Sequence, residues 1–129
     1  VTVPLISSDL CELLLAVAEG RLAGSMPTFS THHALTVVLA AEGYPGPPVK
    51  GRSITGDLSD YIDSNGRAFI HHAGTGIIDG ELVSTGGRVL ASTGIASSLS
   101  EAREIAYLKL SGVQLEGAHF RRDIGYKAL

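Results

Sequence analysis

The chain has 129 residues, a formal net charge of −3 and a hydrophobic content of 44%. This length and apolar content predict one globular unit with a buried core rather than a disordered chain. The slightly acidic balance argues against nucleic-acid binding, which needs a basic face, but it allows a local site for small anions. No apolar run reaches the roughly 18 residues of a membrane-spanning helix, so we also expect no membrane partner.

Cysteine usage gives a second constraint, because Cys11 is the only cysteine in the chain. A lone cysteine forms no internal disulfide and no cysteine-based metal cluster, and we expect it to be a small buried residue on a helix. Its use fits a reducing compartment. The N-terminus lacks the basic region of a signal peptide, and the chain opens with Val1 while its only methionine is Met26. We therefore expect a processed product or a piece of a longer protein.

A first helix is predicted after Asp9, which is a favourable N-cap and is followed three residues later by Glu12. An apolar stripe with helical spacing comes next, formed by Leu10, Leu13, Leu14 and Val17. Gly20 or Gly24 is expected to end this helix. Residues 24–31 are rich in Gly, Ser, Pro and Thr and are predicted to be a linker.

The middle of the chain is predicted to begin with a buried strand at residues 32–42, which are rich in Val, Leu and Thr. Residues 44–51, YPGPPVKG, contain three prolines, which exclude a helix or a central strand there. We expect a rigid loop that presents Lys50. A short strand at residues 53–56 and a polar connection at residues 57–66 are predicted to follow.

Three further strands are expected at residues 67–73, 76–83 and 88–93. Asp79-Gly80 is a strong two-residue hairpin signal, and Gly86-Gly87 marks a second tight turn. Strands that are joined by such short turns pair in the antiparallel direction.

A second helix is predicted to begin at Ser98, because Ser98 and Glu101 form a capping box. One apolar face follows, formed by Ala102, Ile105, Ala106, Leu110 and Val113. Gly112 is expected to stop the helix, and the tail from Gly117 is polar and irregular. Strands that lie between flanking helices predict an α+β fold with a small antiparallel sheet.

Several residues that suit phosphate or carboxylate binding fall in or next to the predicted turns. Glycine lets backbone N–H groups approach an anion, and arginine supplies a planar fork of donors. We predict that the anion contacts come from Lys50, His72, Gly74, Thr75, Arg88 and Arg122. A plain alternative stays open for the charged members: Lys50 and Arg88 are also typical of solvated loops. Arg122 with Asp123 is also typical of a surface ion pair, which is worth little.

The sequence offers no reaction centre of its own. It contains no Gly-x-x-x-x-Gly-Lys-Ser/Thr loop, no Gly-x-Ser-x-Gly elbow and no convincing carboxylate pair for acid–base work. The neighbours His71 and His72 point to opposite faces of a strand, as do His32 and His33, so neither pair chelates one metal ion. One residue of the pair His71-His72 is expected to line the site or cap a turn, and the other to pack. We therefore predict no catalytic and no metal-ligating residue.

Seven segments in order form a pattern that is specific as a whole: SSDLCELLLAVAEGRL, VVLAAEGYPGPPVKG, ITG, FIHHAGT, DGELVSTGGRVL, SSLSEAREIAY and HFRRDIG. Together they resemble the C-terminal portion of phosphoribosylamine–glycine ligase (glycinamide ribonucleotide synthetase), from about Val3 to the last residue. The six predicted anion contacts lie in motifs that the family shares, namely Lys-Gly, His-Ala-Gly-Thr, Gly-Gly-Arg-Val-Leu and Arg-Asp-Ile-Gly. Pro47-Pro48 and residues 57–66 depart from the family's usual sequence, which leaves the shape of these loops open.

The resemblance implies a cytoplasmic ATP-grasp enzyme of purine biosynthesis that joins glycine to 5-phosphoribosylamine, with ATP and Mg²⁺ (or Mn²⁺) as cofactors. It implies that residues 1–24 are the tail end of the ATP-grasp domain, a strand-helix piece, and that residues 25–129 are the C-terminal domain, a small sheet capped by helices. The partner would be the ATP-grasp body, whose metal-binding and ATP-clamping segments this sequence lacks. The 129-residue chain alone is therefore expected to be inactive and to hold no cofactor.

Two other functions compete with this one. A stand-alone, non-catalytic ligand-binding or interaction module that descends from such a domain is the main alternative, and an upstream coding frame with ATP-grasp motifs would decide against it. A biotinyl- or lipoyl-type carrier fits the hairpin-rich middle of the chain. However, Lys50 lies in a proline-rich loop and not at the tip of a hairpin flanked by Ala or Met.

Overall fold

The computed structural model describes residues 1–129 and contains two α-helices and eight strands. The helices are α1 (Leu10–Ala18) and α2 (Leu99–Ser111). The strands are β1 (His33–Ala40), β2 (Thr55–Gly56), β3 (Tyr61–Ile62), β4 (Gly66–His72), β5 (Thr75–Ile78), β6 (Glu81–Ser84), β7 (Arg88–Ala96) and β8 (Val113–Gln114). Neither α-helix has the length and apolar character that crossing a lipid bilayer requires.

Four strands form the main sheet in the order β1-β7-β4-β3, and every neighbouring pair is antiparallel. The central strand is β7, in which Ser92 lies between Val37 of β1 and Ile70 of β4. The predicted α+β fold with a small antiparallel sheet is therefore confirmed. The strand predicted at residues 88–93 continues to Ala96, because β1 and β4 provide pairing partners up to that residue.

The prediction of a single strand at residues 76–83 is wrong, because the chain reverses direction in the middle of this segment. Asp79 and Gly80 have φ angles of 51° and 83°, and two successive positive φ angles are typical of a type I′ hairpin turn. β5 and β6 therefore pair with each other as a separate two-stranded sheet. The hairpin signal of Asp79-Gly80 is confirmed, while the strand assignment across it is corrected.

Two short elements differ from the prediction. β3 interrupts residues 57–66, which were expected to be a polar connection, because its two residues pair with β4. Val113 belongs to β8 instead of the second helix, because α2 ends at Ser111 and Gly112 redirects the chain. β8 then pairs with β2, at the position where a short strand was expected.

α2 covers one face of the main sheet. Its N-terminus has the predicted capping box: Ser98 Oγ accepts from the N–H of Glu101 at 3.2 Å, and the Glu101 carboxylate accepts from the N–H of Ser98 at 3.1 Å. The buried apolar side chains of α2 are Ala102, Ile105, Ala106 and Leu110. Full burial of a large apolar side chain such as Leu110 contributes roughly 1.5–3 kcal/mol, so this face anchors the helix on the sheet.

Gly94 of β7 allows α2 to lie close to the sheet. A Cβ atom at residue 94 would overlap the carbonyl oxygen of Ala102 and would lie 2.8 Å from the amide nitrogen of Ala106. The core between the helix and the sheet consists mainly of aliphatic side chains, among them Leu35, Val37, Leu39, Leu90 and Leu110.

The opposite face of the main sheet carries polar and aromatic side chains. Thr36 Oγ1 lies 2.7 Å from Thr93 Oγ1, which in turn lies 3.0 Å from His71 Nε2, so a hydrogen-bonded row crosses β1, β7 and β4. Beside this row, the guanidinium of Arg67 lies 5.6 Å from the centre of the Phe69 ring. His71 is exposed rather than packed as expected, because α2 covers only the other face.

The N-terminal helix makes little contact with the main sheet or with α2. The Asp9 carboxylate caps it as predicted and accepts from the N–H of Cys11 at 2.8 Å. Within α1 only Ala16 is buried, whereas Leu14 and Val17 are 60% and 58% exposed. Cys11 is exposed, so its predicted burial is wrong: the side of the helix that carries Cys11 has nothing packed on it.

The strand that was expected before α1 is also absent. Val3–Leu5 forms a 3₁₀ turn, and the β-type pairing of this segment is limited to a bridge between Ile6 and Phe29. A strand needs a neighbouring strand for its backbone groups along its length, and residues 1–9 pair in this way only around this bridge.

Candidate anion-binding site

Four of the residues predicted to bind an anion, His72, Gly74, Thr75 and Arg88, lie where β4 ends and β7 begins. The N–H of Gly74 donates to the carbonyl oxygen of Arg88 at 2.9 Å, and that of Ala73 donates to Val89 at 3.0 Å. The N–H of Thr85 donates to the carbonyl oxygen of Gly74 at 2.8 Å. The segments His-Ala-Gly-Thr and Gly-Gly-Arg-Val-Leu are thereby held side by side.

Glycine at residue 74 makes this close approach possible. A Cβ atom there would lie 2.8 Å from both the Cα atom of Gly86 and the carbonyl oxygen of Arg88. Both neighbours are backbone atoms, which cannot turn away as a flexible side chain would. The turn before Arg88 therefore depends on the missing side chain at residue 74.

His72 and Thr75 close the turn after β4. His72 Nδ1 lies 3.1 Å from Thr75 Oγ1, within hydrogen-bonding distance. His71 points to the opposite face, where it meets Thr93, so the predicted divergence of the two histidines is confirmed. The bond to Thr75 gives His72 a turn-capping position, as expected for one residue of the pair.

The proline-rich loop brings Lys50 to the same end of the sheet. The Tyr44 ring lies over Gly87. A Cβ atom added at residue 87 would be 3.2 Å from Cε2 of that ring. After the loop, the N–H of Gly51 donates to the carbonyl oxygen of Ser84 at 2.7 Å. Lys50 itself is exposed and forms no salt bridge, so its ammonium group is available to an anion.

Arg88 borders a cleft of about 290 Å³, which we term the Arg88 cleft. Its apolar wall comes from β1, the proline-rich loop and the tail, through Val38, Ala40, Tyr44, Phe120 and Ile124. Arg88, His119 and Arg121 add polar groups. Arg88 is exposed and its side chain forms no salt bridge, so the five N–H donors of its guanidinium can meet an anion.

The structure separates Arg122 from the Arg88 cleft, which corrects the predicted grouping. The guanidinium of Arg122 lies 5.7 Å from the centre of the Phe120 ring, in a different cleft that also includes Tyr107. Arg121 borders the Arg88 cleft instead. Arg121 and Arg122 are neighbours in an irregular tail, where residue spacing carries no signal of which side chain faces the cleft.

The ion pair with Asp123 is formed by Arg121 and not, as the alternative for Arg122 predicts, by Arg122. The Nε and Nη2 atoms of Arg121 donate to the two carboxylate oxygens of Asp123 at 2.9 Å and 2.6 Å. These bonds favour both charged forms, so they lower the pKa of Asp123 and raise the pKa of Arg121. Both side chains are mostly exposed, and such a pair adds little to stability.

A larger cleft, of about 660 Å³, lies between the N-terminal segment and the turn from β3 to β4. It contains His32, Asp63 and Arg67 but none of the six predicted anion contacts. No group of three or more His, Cys, Asp or Glu side chains is arranged to hold a metal ion. The Arg88 cleft and its adjoining turns are therefore the best candidate site, and their groups suit the binding and orientation of an anion.

Sequence comparisons relate the chain to purine-biosynthesis proteins. A family model described as phosphoribosylglycinamide synthetase, C domain, matches residues 34–127. The chain is 44% identical over 126 residues to a phosphoribosylamine–glycine ligase of Caulobacter vibrioides. This alignment covers 96% of this chain and 29% of that protein. It is 40% identical over 131 residues to the human trifunctional purine biosynthetic protein adenosine-3. This alignment covers 100% of this chain and 13% of that protein.

A solved structure gives the same result. The chain resembles the crystal structure of phosphoribosylamine–glycine ligase from Thermotoga maritima with a TM-score of 0.70 and 39% identity, over 87% of this chain and 27% of that one. The chain thus spans between 13% and 29% of the length of these relatives. The family resemblance seen in the seven sequence segments is confirmed, and the chain belongs to the phosphoribosylglycinamide synthetase C-domain family.

Proposed function

We propose that the chain works as the C-terminal part of a phosphoribosylamine–glycine ligase, which joins glycine to 5-phosphoribosylamine and forms glycinamide ribonucleotide. The observation that carries the proposal is the 44% identity to the Caulobacter vibrioides ligase over 96% of this chain. Because the match covers 29% of that ligase, the proposed reaction needs parts that the 129 residues do not include.

In this proposal an ATP-grasp body in the cytoplasm supplies the sites for ATP, Mg²⁺ (or Mn²⁺) and glycine. The glycine carboxylate takes up the terminal phosphoryl group of ATP and ADP leaves. The amine of 5-phosphoribosylamine then attacks the acyl carbon, so that an amide bond forms and inorganic phosphate is released. Such a reaction gains most from positioning and from neutralisation of negative charge.

The Arg88 cleft holds the phosphate group of 5-phosphoribosylamine in this scheme. Arg88 has a free guanidinium, which suits two-point binding of a phosphate group. Arg121 borders the same cleft and adds a second guanidinium, in place of Arg122. Two of its nitrogen atoms bind Asp123, so the remaining N–H groups are the ones that meet the phosphate. Lys50 and His72 lie on turns at the same end of the sheet, and Gly74 keeps the turn that leads into Arg88 in place.

Residues 1–24 belong to the ATP-grasp body in this proposal, and residues 25–129 form the C-terminal domain. The family model begins only at residue 34, whereas the relatives align over 96–100% of the chain. The exposed apolar side chains of Leu14 and Val17 are typical of a helix that packs on another part of a protein.

The test uses a full-length phosphoribosylamine–glycine ligase with this chain as its C-terminal part. Arg88→Ala is expected to lower kcat/KM for 5-phosphoribosylamine by about 10²-fold, because a charge-assisted contact to the reacting substrate is worth a few kcal/mol. His33→Ala is the control, because His33 is exposed at the start of β1 and lies outside the cleft.

Wild-type kcat/KM in both variants would show that the Arg88 cleft is not the phosphate site. A full-length protein without any ligase activity would instead favour the stand-alone binding module.

A further inference from the structure

Two side chains of α2 hold the tail that carries Arg121 and Arg122. Arg103 donates from Nε to the carbonyl oxygen of Ile124 at 3.0 Å and from Nη2 to that of Arg122 at 2.7 Å. The Tyr107 hydroxyl donates to the carbonyl oxygen of Arg121 at 2.7 Å and accepts from the N–H of Ile124 at 3.2 Å. Three carbonyl oxygens and one amide of the tail are therefore bound by only two side chains.

Arg103 and Tyr107 also hold each other in place. They are four residues apart on α2 and so lie on the same side of the helix. The guanidinium carbon of Arg103 lies 4.8 Å from the centre of the Tyr107 ring, and the Tyr107 ring contacts Phe120 with 5.9 Å between ring centres. A guanidinium that is already stacked on a ring loses little further freedom when it binds carbonyl groups.

Apart from the apolar contacts of Phe120 and Ile124 with the core, the tail has few other hydrogen bonds in this region. His119 pairs with Ala40 of β1, and a 3₁₀ turn begins at Tyr126. Between these two points, no backbone N–H of residues 120–125 donates to another backbone group. The backbone that carries Arg121 and Arg122 is therefore held mainly by the bonds from α2, while the Arg121 side chain is also bound to Asp123.

We propose that Arg103 and Tyr107 are positioning residues, which keep Arg121 beside the Arg88 cleft and Arg122 on the other side of the tail. The inference rests on the proposed function of that cleft as a phosphate site. Without the bonds to the carbonyl oxygens of residues 121, 122 and 124, only the apolar contacts of Phe120 and Ile124 hold this part of the tail, and its backbone can shift. The cleft then loses its second cation while the sheet and α2 stay folded.

Ribose 5-phosphate and the purified 129-residue chain provide the first test. Tyr107→Phe removes the hydroxyl and keeps the ring, and it is expected to weaken ribose 5-phosphate binding about two- to tenfold, as loss of a net hydrogen bond does. Arg103→Lys keeps the charge but lacks the planar fork, and a similar loss is expected. Tyr126→Phe is the matched control, because Tyr126 is 74% exposed and its hydroxyl forms no hydrogen bond.

A double-mutant cycle separates positioning from a general loosening of the fold. In an Arg121→Ala background, Tyr107→Phe is expected to cause no further loss of ribose 5-phosphate affinity, because no second cation is left to position. If the two losses add, Tyr107 does not act through Arg121 and the inference is overturned.

A second measurement needs no ligand. In the wild-type chain, NMR should detect contacts between the Arg121 side chain and the residues that line the Arg88 cleft, and these should disappear in Tyr107→Phe and Arg103→Lys. Amide exchange in β1 and β7 should stay slow in all variants. Persistence of the contacts in both variants would overturn the inference. Loss of the contacts in a chain that never binds ribose 5-phosphate would support the positioning role and refute the proposed function of the cleft.

Discussion

The amide of Gly74 donates a hydrogen bond of 2.9 Å to the carbonyl oxygen of Arg88. This contact joins the turn after β4 to the residue that we propose to bind phosphate. Backbone atoms of Gly86 and Arg88 occupy the space where a side chain at residue 74 would lie. The path of the chain into Arg88 is therefore sensitive to the smallest change at residue 74.

Gly74→Ala should shift the turn before Arg88. Overpacking of this kind typically costs about 1–3 kcal/mol, and the affinity of the chain for ribose 5-phosphate should fall because Arg88 moves with its backbone. Urea unfolding and calorimetric binding measure the two effects. Gly76→Ala is the control, because the nearest atom to its added Cβ is the Thr85 methyl group at 3.0 Å, which is a side-chain atom. Equal stability and equal binding in the two variants would contradict the role of the close approach.

The 129-residue chain alone should not form glycinamide ribonucleotide. The six predicted anion contacts include no nucleotide-binding loop, and the sequence lacks the metal-binding and ATP-clamping motifs that the family resemblance places upstream. An ATP-dependent turnover assay on the purified chain measures this directly. Product above the blank would show that the reaction needs no more than these residues.

The exposed apolar side of α1 should cause self-association of the isolated chain. Leu14 and Val17 are 60% and 58% exposed, and full burial of such a side chain contributes roughly 1.5–3 kcal/mol. Sedimentation of the wild type should show concentration-dependent association, and a Leu14→Glu, Val17→Glu variant should remain monomeric. Ile77→Glu is the control, since Ile77 is 68% exposed but lies on the β5–β6 hairpin. A wild type that stays monomeric at every concentration would contradict the prediction.

The salt bridge between Lys109 and Asp57 should make stability depend on pH in the acid range. Lys109 is buried, and its Nζ atom lies 2.7 Å from Asp57 Oδ2. Hydrogen bonds from Lys109 and Ser59 lower the pKa of Asp57 to about 2. Because the folded-state pKa lies below the ordinary value of about 3.9, the stabilisation is complete above about pH 4 and disappears as the pH falls through about 2.

Urea unfolding of the wild type and of Asp57→Asn between pH 7 and pH 2 tests this prediction. The wild type should be more stable at pH 7, and the difference should shrink only below about pH 4. Asp60→Asn is the control, because Asp60 is exposed and forms no salt bridge. A difference that stays constant down to pH 2 would show that the Asp57 charge does not stabilise the fold.

Local signals in the sequence predicted the parts of the fold that depend on neighbouring residues. The capping box of Ser98 and Glu101 and the hairpin turn at Asp79-Gly80 involve residues that are at most three positions apart, so their geometry follows from residue type alone. The strand β1 was found for a similar reason, since its run of Val, Leu and Thr is long enough to predict a buried strand.

Features that depend on tertiary contacts could not be read in this way. β3 has only two residues, and its pairing with β4 carries no periodicity. The Arg88 cleft combines β1, the proline-rich loop, β7 and the tail, so His119 and Tyr44 gave no signal that they border Arg88. Arg121 and Arg122 are identical in type, and their spacing carries no signal of which of them faces the cleft.

The position of the tail has a further consequence for β1, which lies at the edge of the main sheet. The tail pairs with Ala40 through His119, and Gly125 lies against the Leu35 side chain, so the tail contacts β1 towards both of its ends. An uncovered edge strand offers unpaired backbone groups to another molecule, and an apolar, β-prone segment such as HALTVVLA is typical of strands that aggregate. Release of the tail from Arg103 and Tyr107 would therefore open a route to intermolecular strand addition while the core is still folded.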